Sequence, residues 1–291
     1  MSPKISISAV CLGTKAGQEL ARSSQAVVLG VTSQGVFLKL SSGWVIFLSG
    51  AAEPGPLTLI LDAPLAPWVA QGELAQISAA WMDFPSCGRQ VSWSQSPGWS
   101  TPPPAREPLA FSQRLQILRQ VIQLLGVESL GEPEGKAPAS GAGRIPRLLF
   151  FGLAGANAPI QIQEQMAAAL QPLLGFGPGL TPWGDDLVLG LLLTLRRWGA
   201  LCAPSVDWQP LFSCMTTAAY RTTTLLSANL IECACQGEAG ASLVRALDGL
   251  VTGDPPPLAC ANIFEDWGST SGRAVLRGML LALDPHQELM I

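Results

Sequence analysis

The sequence predicts an α+β protein: an antiparallel, β-rich N-terminal part, then a mainly helical C-terminal part that carries a glycine-rich motif. Three observations support this prediction. The first hundred residues hold short runs of β-branched and aromatic residues, separated by turn compositions. A proline-rich connection follows these runs. Beyond it, apolar residues recur at helical spacing.

Four short apolar runs predict the N-terminal strands. The segments "TSQ", "SSG" and "AAEPGP" between them have turn compositions, and this regular spacing is typical of an antiparallel sheet. The runs are "AVVLGV" (26–31), "GVFLKL" (35–40), "WVIFL" (44–48) and "LTLIL" (57–61).

The connection "SQSPGWSTPPPAREP" (94–108) predicts the domain boundary. A chain of 291 residues can form one large domain or two ordinary ones. We therefore expect a β-rich domain at 1–104 and a helical domain at 105–291.

The helical part begins with an amphipathic helix that Pro108 opens and Gly126 ends. "GEPEGKAPASGAGRIP" (131–146) has the composition of an exposed loop, and "LLFFGLAG" fits either a strand or the start of a buried helix. Further helices are predicted at 161–175, 184–195, 210 to about 235, 242–251 and 272–283.

Two of these helices have similar sequences, and we call this similarity the sequence echo. "GDDLVLGLLLTL" (184–195) and "GRAVLRGMLLAL" (272–283) share glycines and apolar residues at matching positions, and each follows a turn that contains Ser or Thr. Gly190 and Gly278 would permit a close helix approach, so one hypothesis is that the two N-termini converge. The alternative is two unrelated core helices with similar sequences.

Composition limits the classes of partner. Only 13% of the residues are charged, the net charge is −4, and the 17 basic residues are spread along the chain, which argues against a nucleic-acid partner. No apolar window approaches the roughly 18–20 residues of a membrane span, and the N-terminus lacks a signal-peptide pattern. We therefore expect a cytoplasmic protein without a membrane partner.

Cysteine and histidine usage excludes several kinds of site. The seven cysteines contain no C-x-x-C pair, which favours reduced, mostly buried thiols over a zinc site. His286 is the single histidine, so a His-based triad or a His-rich metal site is not expected.

The motif "GFGPGLTPWGDD" (175–186) is the first candidate site. Thr181 and Pro182 match a helix cap and a first helical position, and acids in the following turn favour the helix dipole. Glycines at alternate positions could expose N–H groups to a small anion, although no nucleotide-loop pattern is present. We expect no cofactor, but a divalent metal at Asp185 or Asp186 remains open.

Two later segments add polar groups. "YRTTTLLSANL" (220–230) holds a polar cluster in which Arg221 either pairs with one of the two aspartates or clamps a phosphate or carboxylate. The threonine hydroxyls would bond back to helix carbonyls in the structural interpretation. "DWGSTSGR" (266–273) again offers hydroxyls and N–H groups at a helix start, or simple capping by Ser269 or Thr270.

Together, the segments "GFGPGLTPWGDDLVLGLLLTL", "RTTTLLSANLIECACQGE" and "WGSTSGRAVLRGMLLAL" resemble the AllH-like family. Its pattern is a G-x-G-P-G-L-T-P-x-G-D-D loop, an R-T-T segment followed by a serine, and a late G-H-x-S-G turn. The N-terminal half is similar more loosely, through "VTSQGVFLKLSSGWVIFLSG" and "GPLTLIL". This chain has Ser269 at the family's histidine and Trp183 where serine is commoner.

The resemblance implies a subunit of an oxamate carbamoyltransferase-type complex in allantoin or purine catabolism. It implies an oligomer with an FdrA-like protein and a second operon-encoded protein, and a small anionic substrate such as carbamoyl phosphate or oxamate. The implied catalytic residues are Asp185, Asp186 and Arg221. The implied binding residues are Gly177, Gly179, Thr181, Gly184, Thr222, Thr223, Ser227, Ser269, Thr270, Ser271 and Gly272.

Two other functions remain open. In the first, the chain is a non-catalytic scaffolding subunit whose glycines serve helix packing and partner contact. In the second, it is a metal-dependent hydrolase that uses the paired aspartates.

Overall fold

A computed structural model describes residues 5–126, 159–268 and 270–284. The chain divides into two compact units, residues 1–102 and residues 103–291. All seven cysteines lie in the described part, and none of them forms a disulfide. No helix in that part is long and apolar enough to cross a membrane.

The N-terminal unit is a mixed β structure with one helix, α1 (Thr14–Ala21). The four predicted strands are confirmed as β2 to β5, while the strands on either side of them were not predicted. The strands are β1 (Ile5–Gly13), β2 (Gln25–Val31), β3 (Val36–Leu40), β4 (Val45–Ser49), β5 (Thr58–Leu61), β6 (Leu74–Ile77), β7 (Trp81–Phe84), β8 (Arg89–Ser92) and β9 (Gly98–Trp99).

Eight strands close into a barrel in the order β5-β4-β3-β2-β6-β7-β8-β1, because β1 also pairs with β5. The prediction of an antiparallel sheet is correct for most neighbours but wrong for three pairs. The β1–β8, β1–β9 and β4–β5 pairs are parallel. Local composition sets where a strand forms, whereas the connections set its direction, so the sequence pattern could not show these pairs.

Alternation along the strands builds the barrel core. In β3, Val36, Leu38 and Leu40 are buried, while Phe37 and Lys39 between them are not. Successive side chains of a strand point to opposite faces, so every second residue faces inward.

The described part of the C-terminal unit consists of helices joined by turns and loops. The predicted helices at 184–195, 242–251 and 272–283 are confirmed, as is the one that ends at Gly126. The helix predicted at 161–175 is confirmed but shorter, because the α-helix ends at Leu170 and a 3-10 turn follows at Gln171–Leu173. The helix Pro257–Asp266 was not predicted. The predictions for 131–146 and "LLFFGLAG" lie outside the described residues. The helices are α2 (Phe111–Leu124), α3 (Pro159–Leu170), α4 (Trp183–Cys202), α5 (Gln209–Thr222), α6 (Leu225–Gln236), α7 (Ala241–Thr252), α8 (Pro257–Asp266) and α9 (Ser271–Leu283).

The single helix predicted from 210 to about 235 is wrong, because the chain breaks between α5 and α6. Thr223 has an extended backbone, with φ −123° and ψ −174°. Thr224 then caps α6, since its hydroxyl accepts the Ser227 N–H. β-Branched threonines form helices only moderately well, and their hydroxyls favour caps.

The helices α4 and α9 run parallel and in close contact. Ser271, at the start of α9, is hydrogen-bonded to Asp186 near the start of α4. At the other end, the Cys202 thiol lies 3.1 Å from the Ala282 carbonyl oxygen. The hypothesis that the two N-termini converge is therefore confirmed.

Candidate functional site

The glycine-rich motif forms a turn that leads into α4. Gly175, Gly177 and Gly179 all have positive φ, between 76° and 110°. The predicted cap is wrong by one residue: Pro182 occupies the cap position, no side chain caps α4, and the helix begins at Trp183. Proline at the cap leaves Thr181 outside the helix.

Most N–H groups at the α4 start already have acceptors within the protein. Gly184 donates to the Phe176 carbonyl, and both Asp185 and Asp186 donate to the Pro182 carbonyl. These three amides therefore cannot cradle an anion, contrary to the expectation. Gly177 and Gly179 are exposed, and within the described ranges no carbonyl or side chain accepts their N–H groups.

Asp185 is buried and fastens the loop to the break between α5 and α6. Its Oδ1 accepts the Gly175 N–H at 2.8 Å, and its Oδ2 accepts the Thr223 hydroxyl. Burial raises the pKa of Asp185, while the bonds from Thr223, Gly175 and Ser227 lower it. These hydrogen bonds indicate a structural role for Asp185, which holds the glycine-rich loop against the break between α5 and α6.

Asp186 lies beside it in a different environment. Its side chain is 4% exposed, and its Oδ2 atom is buried with no hydrogen-bond partner. Its pKa is raised to about 7, mainly by burial; the hydrogen bond from Ser271 lowers the pKa, and the charge of Asp185 raises it. A buried polar atom without a partner is unusual in a folded protein and is a candidate ligand contact.

The threonine and serine hydroxyls of the second segment (220–230) either bond back to their own helix or bond to the glycine-rich loop and its helix start. Thr222 bonds back to the Ala218 carbonyl at 2.8 Å, as the structural interpretation predicts. Thr223 bonds to Asp185, and Thr224 and Ser227 both donate to the Leu180 carbonyl, at 2.6 and 3.3 Å. The second segment therefore holds the glycine loop in place.

Arg221 is exposed at the end of α5. Within the described residues it forms no ion pair with Asp185 or Asp186, so the predicted pairing is wrong. Its neighbour Tyr220 belongs to a separate group, in which its hydroxyl donates to Glu232 and accepts from Asn229, each at 2.8 Å.

In the third segment (266–273), Ser271 contacts the site through its hydrogen bond to Asp186. Thr270 is exposed at the cap position of α9, and its side chain makes no capping bond there. Gly272 is buried, and a Cβ at this position would overlap with the Phe264 carbonyl oxygen. Gly184 meets the Leu173 carbonyl oxygen in the same way, so close packing explains both glycines. Ser269 lies outside the described residues.

Two residues of the site were not predicted from the sequence. The Arg277 guanidinium lies 5.8 Å from the centre of the Trp183 ring, and Phe176 meets that ring edge-on at 6.4 Å. Arg277 aligns with the buried Leu189 in the sequence echo. A charged residue at an otherwise apolar position of the echo was the signal that could have identified it.

A metal fits this arrangement poorly. Both carboxylate oxygens of Asp185 already accept hydrogen bonds. Of the two adjacent aspartates, Asp186 is therefore the one with a carboxylate oxygen, Oδ2, that has no hydrogen-bond partner. In the described part of the chain, no group of three or more His, Cys, Asp or Glu side chains could hold a metal ion. Protein sites for divalent cations commonly supply more ligands than this.

The candidate site is therefore formed by the adjacent N-terminal ends of two parallel helices, α4 and α9. The buried carboxyl group of Asp186 lies between them. Residues 173–283, which contain all three segments, match the family model described as oxamate carbamoyltransferase subunit AllH. The resemblance is confirmed for this part of the chain, while the barrel lies outside the matched residues. A subunit family implies further protein partners. No solved structure matches the chain.

Proposed function

We propose that this chain is a catalytic subunit of an oxamate carbamoyltransferase-type complex and that it binds a small anionic substrate where α4 and α9 begin. In this proposal Asp186 is the group that exchanges a proton with the substrate. The supporting observation is the Asp186 Oδ2 atom, which is buried and has no hydrogen-bond partner in the described residues.

The chemistry needs a proton acceptor. The acceptor amide nitrogen attacks the carbamoyl carbon of carbamoyl phosphate, a new C–N bond forms, and the C–O bond to phosphate breaks with its electron pair on the phosphate. The attacking nitrogen loses one proton, which Asp186 Oδ2 takes. A pKa of about 7 suits this role, because general bases work best near the ambient pH.

The paired helix starts supply the electrostatic setting. Each helix carries partial positive charge at its N-terminus, and parallel helices place the two ends together. Negative charge that develops on the carbamoyl oxygen during transfer is stabilised by such fixed dipoles. Gly177 and Gly179 are exposed residues, and their N–H groups, which have no acceptor within the described ranges, are further donors at the same turn.

The test is Asp186→Asn in the complex purified with its partner chains. We expect kcat for carbamoyl transfer to oxamate to fall about 10²- to 10⁴-fold, with assembly unchanged on size-exclusion chromatography. Asp266→Asn, an exposed aspartate of α8, is the matched control and should leave kcat unchanged. Wild-type kcat in the Asp186→Asn complex would contradict the proposal.

A scaffolding role is the second candidate, because the buried glycines serve close packing. In that case Asp186→Asn would leave transfer intact, and variants that disturb packing would abolish assembly and transfer together.

The proposed partners are an FdrA-like protein and a second operon-encoded protein, in a cytoplasmic allantoin or purine pathway. Copurification from cells that express the three chains tests these partners directly.

A further inference from the structure

The Asp186 carboxyl group receives a side-chain hydrogen bond from Ser271, the first residue of α9. The Asp186 Oδ2 atom has no hydrogen-bond partner within the described residues, so this bond reaches the other carboxyl oxygen, Oδ1. One oxygen is therefore held, and the other stays open. Asp185 differs, because both of its oxygens accept hydrogen bonds.

The place where α9 begins leaves the Ser271 hydroxyl available for this bond. A hydroxyl farther along a helix commonly bonds back to a carbonyl of the same helix, as Thr194 does to the Gly190 carbonyl oxygen at 2.7 Å. Ser271 is the first residue of α9, so no carbonyl of its own helix lies four residues before it. Thr270 occupies the cap position, and no side chain makes a capping bond there.

Backbone packing holds Ser271 close to Asp186. Gly272 directly follows Ser271, and a Cβ on Gly272 would overlap with the Phe264 carbonyl oxygen of α8. Gly278, farther along α9, packs against the backbone of α4 in the same way. The start of α9 is thus fixed against two helices, and the Ser271 hydroxyl is held beside a carboxyl group that is only 4% exposed.

We propose that Ser271 is a positioning residue for carbamoyl transfer: its hydroxyl holds Oδ1 of Asp186, so that Oδ2 is directed to the substrate N–H as a charged proton acceptor. The inference rests on the proposed function and deepens it, because it assigns to Ser271 the control of the group that takes the proton. A hydroxyl donates more strongly to a carboxylate than to a neutral carboxyl group, so this bond favours the ionised form of Asp186. Burial has the opposite effect.

The pH dependence of kcat tests this role in the complex with its partner chains. Without the Ser271 hydroxyl the pKa of Asp186 should rise above about 7, so the acid limb of the kcat profile should move to higher pH in Ser271→Ala. We expect a shift of about one pH unit, the scale of one hydrogen bond to a charged group, and hence about a tenfold loss of kcat at pH 6. At pH 9 the carboxyl group is ionised in both proteins, and the two kcat values should nearly agree.

Two further variants keep the test specific. Ser271→Thr keeps the hydroxyl and should restore the wild-type profile. Thr270→Ala removes the adjacent, exposed hydroxyl, which makes no capping bond, and should leave the profile unchanged. A loss of kcat in Ser271→Ala that is equal at every pH would indicate a purely structural role and overturn the inference, as would an unchanged profile.

Other titratable groups near Asp186 are the same in these variants. The charge of Asp185 raises the pKa of Asp186, and residues 171–182, which lead into α4, contain no titratable side chain. The titratable side chains on the two helices that pack against α4, α6 and α9, are Glu232, Cys233, Cys235, Arg273 and Arg277. Ser271→Ala and Thr270→Ala change none of them, so a difference between the two profiles reports on the Ser271 hydroxyl.

Stability measurements on the full-length chain separate this inference from the proposed function, since they need no turnover. Ser271→Ala should lower the urea midpoint more at pH 8, where Asp186 is mostly ionised, than at pH 5, where it is neutral. This pH dependence should disappear in the Asp186→Asn background. Full kcat in Asp186→Asn would reject the proposed function, whereas equal losses of stability at both pH values would reject the bond from Ser271 to the ionised carboxyl group.

Discussion

Gly190 of α4 and Gly278 of α9 hold equivalent positions in the two echoed segments, and each faces the backbone of the other helix. A Cβ on Gly190 would overlap with the Val275 carbonyl oxygen, and a Cβ on Gly278 would overlap with the Leu187 carbonyl oxygen. Val275 and Leu187 are themselves equivalent in the echo. The contact is thus reciprocal, and it brings the two helix starts together around Asp186.

Replacing either glycine by alanine should destabilise the helical unit. The added methyl group has to push the helices apart, and overpacking of this kind costs about 1–3 kcal/mol. Urea unfolding of Gly190→Ala and Gly278→Ala would measure this loss. Gly30→Ala is the control, since a Cβ there meets nothing within 4 Å. If all three variants unfolded alike, the reciprocal contact would not matter for stability.

Asp185 and Asp186 should respond in opposite ways to substitution. Asp185→Ala removes the acceptor of the Gly175 N–H and the Thr223 hydroxyl, and we expect a loss of about 1–3 kcal/mol in the free energy of unfolding. Asp186→Asn removes a buried ionisable group whose Oδ2 has no partner, so stability at pH 8 should be kept or increased. Chemical denaturation of both variants checks this contrast, and equal destabilisation would contradict it.

The raised pKa of Asp186 predicts a pH dependence of stability. Between the unfolded pKa of about 4 and the folded value of about 7, the folded state binds more protons than the unfolded state. The free energy of unfolding should therefore fall as pH rises through this window, on the order of a few kcal/mol in total, and level off above it. Asp185, whose pKa is also raised, adds to the same trend.

The measurement compares wild type with Asp186→Asn at pH 5 and pH 8 in a chemical denaturant. Apart from Asp185, whose charge interacts with Asp186, the other titrating groups have the same surroundings in both proteins, so the difference between the two pH slopes reports on this pair of carboxyls. We expect the variant to gain stability relative to wild type as pH rises. Parallel slopes would show that the carboxyl ionises normally in the folded state.

Thr224 should be important at the break between α5 and α6. Its hydroxyl accepts the Ser227 N–H and donates to the Leu180 carbonyl, so Thr224→Ala loses a helix cap and one tie to the glycine loop. We expect a cost of about 1 kcal/mol, read from thermal or denaturant unfolding. Thr217→Ala is the control, because its hydroxyl bonds within its own helix. Equal effects of both substitutions would argue against a special role of the cap.

The sequence by itself determined where four of the strands and most of the helices form. Alternating and helical apolar periodicities follow directly from backbone geometry, so β2 to β5 and most of the helices could be predicted from local patterns. The glycine-rich motif also marked the start of α4, and the echo indicated that α4 and α9 meet. These are properties of short stretches of chain.

Only the tertiary structure decided which groups remain available for chemistry. Strand direction in the barrel, the partners of the amides at the α4 start and the exposure of Arg221 all depend on what packs against each residue. Asp185 and Asp186 are adjacent in sequence, yet one is fully hydrogen-bonded and the other has a buried oxygen without a partner. Burial and hydrogen-bond partners arise from contacts between residues that are ten to ninety positions apart in the sequence. A local sequence pattern therefore cannot predict them.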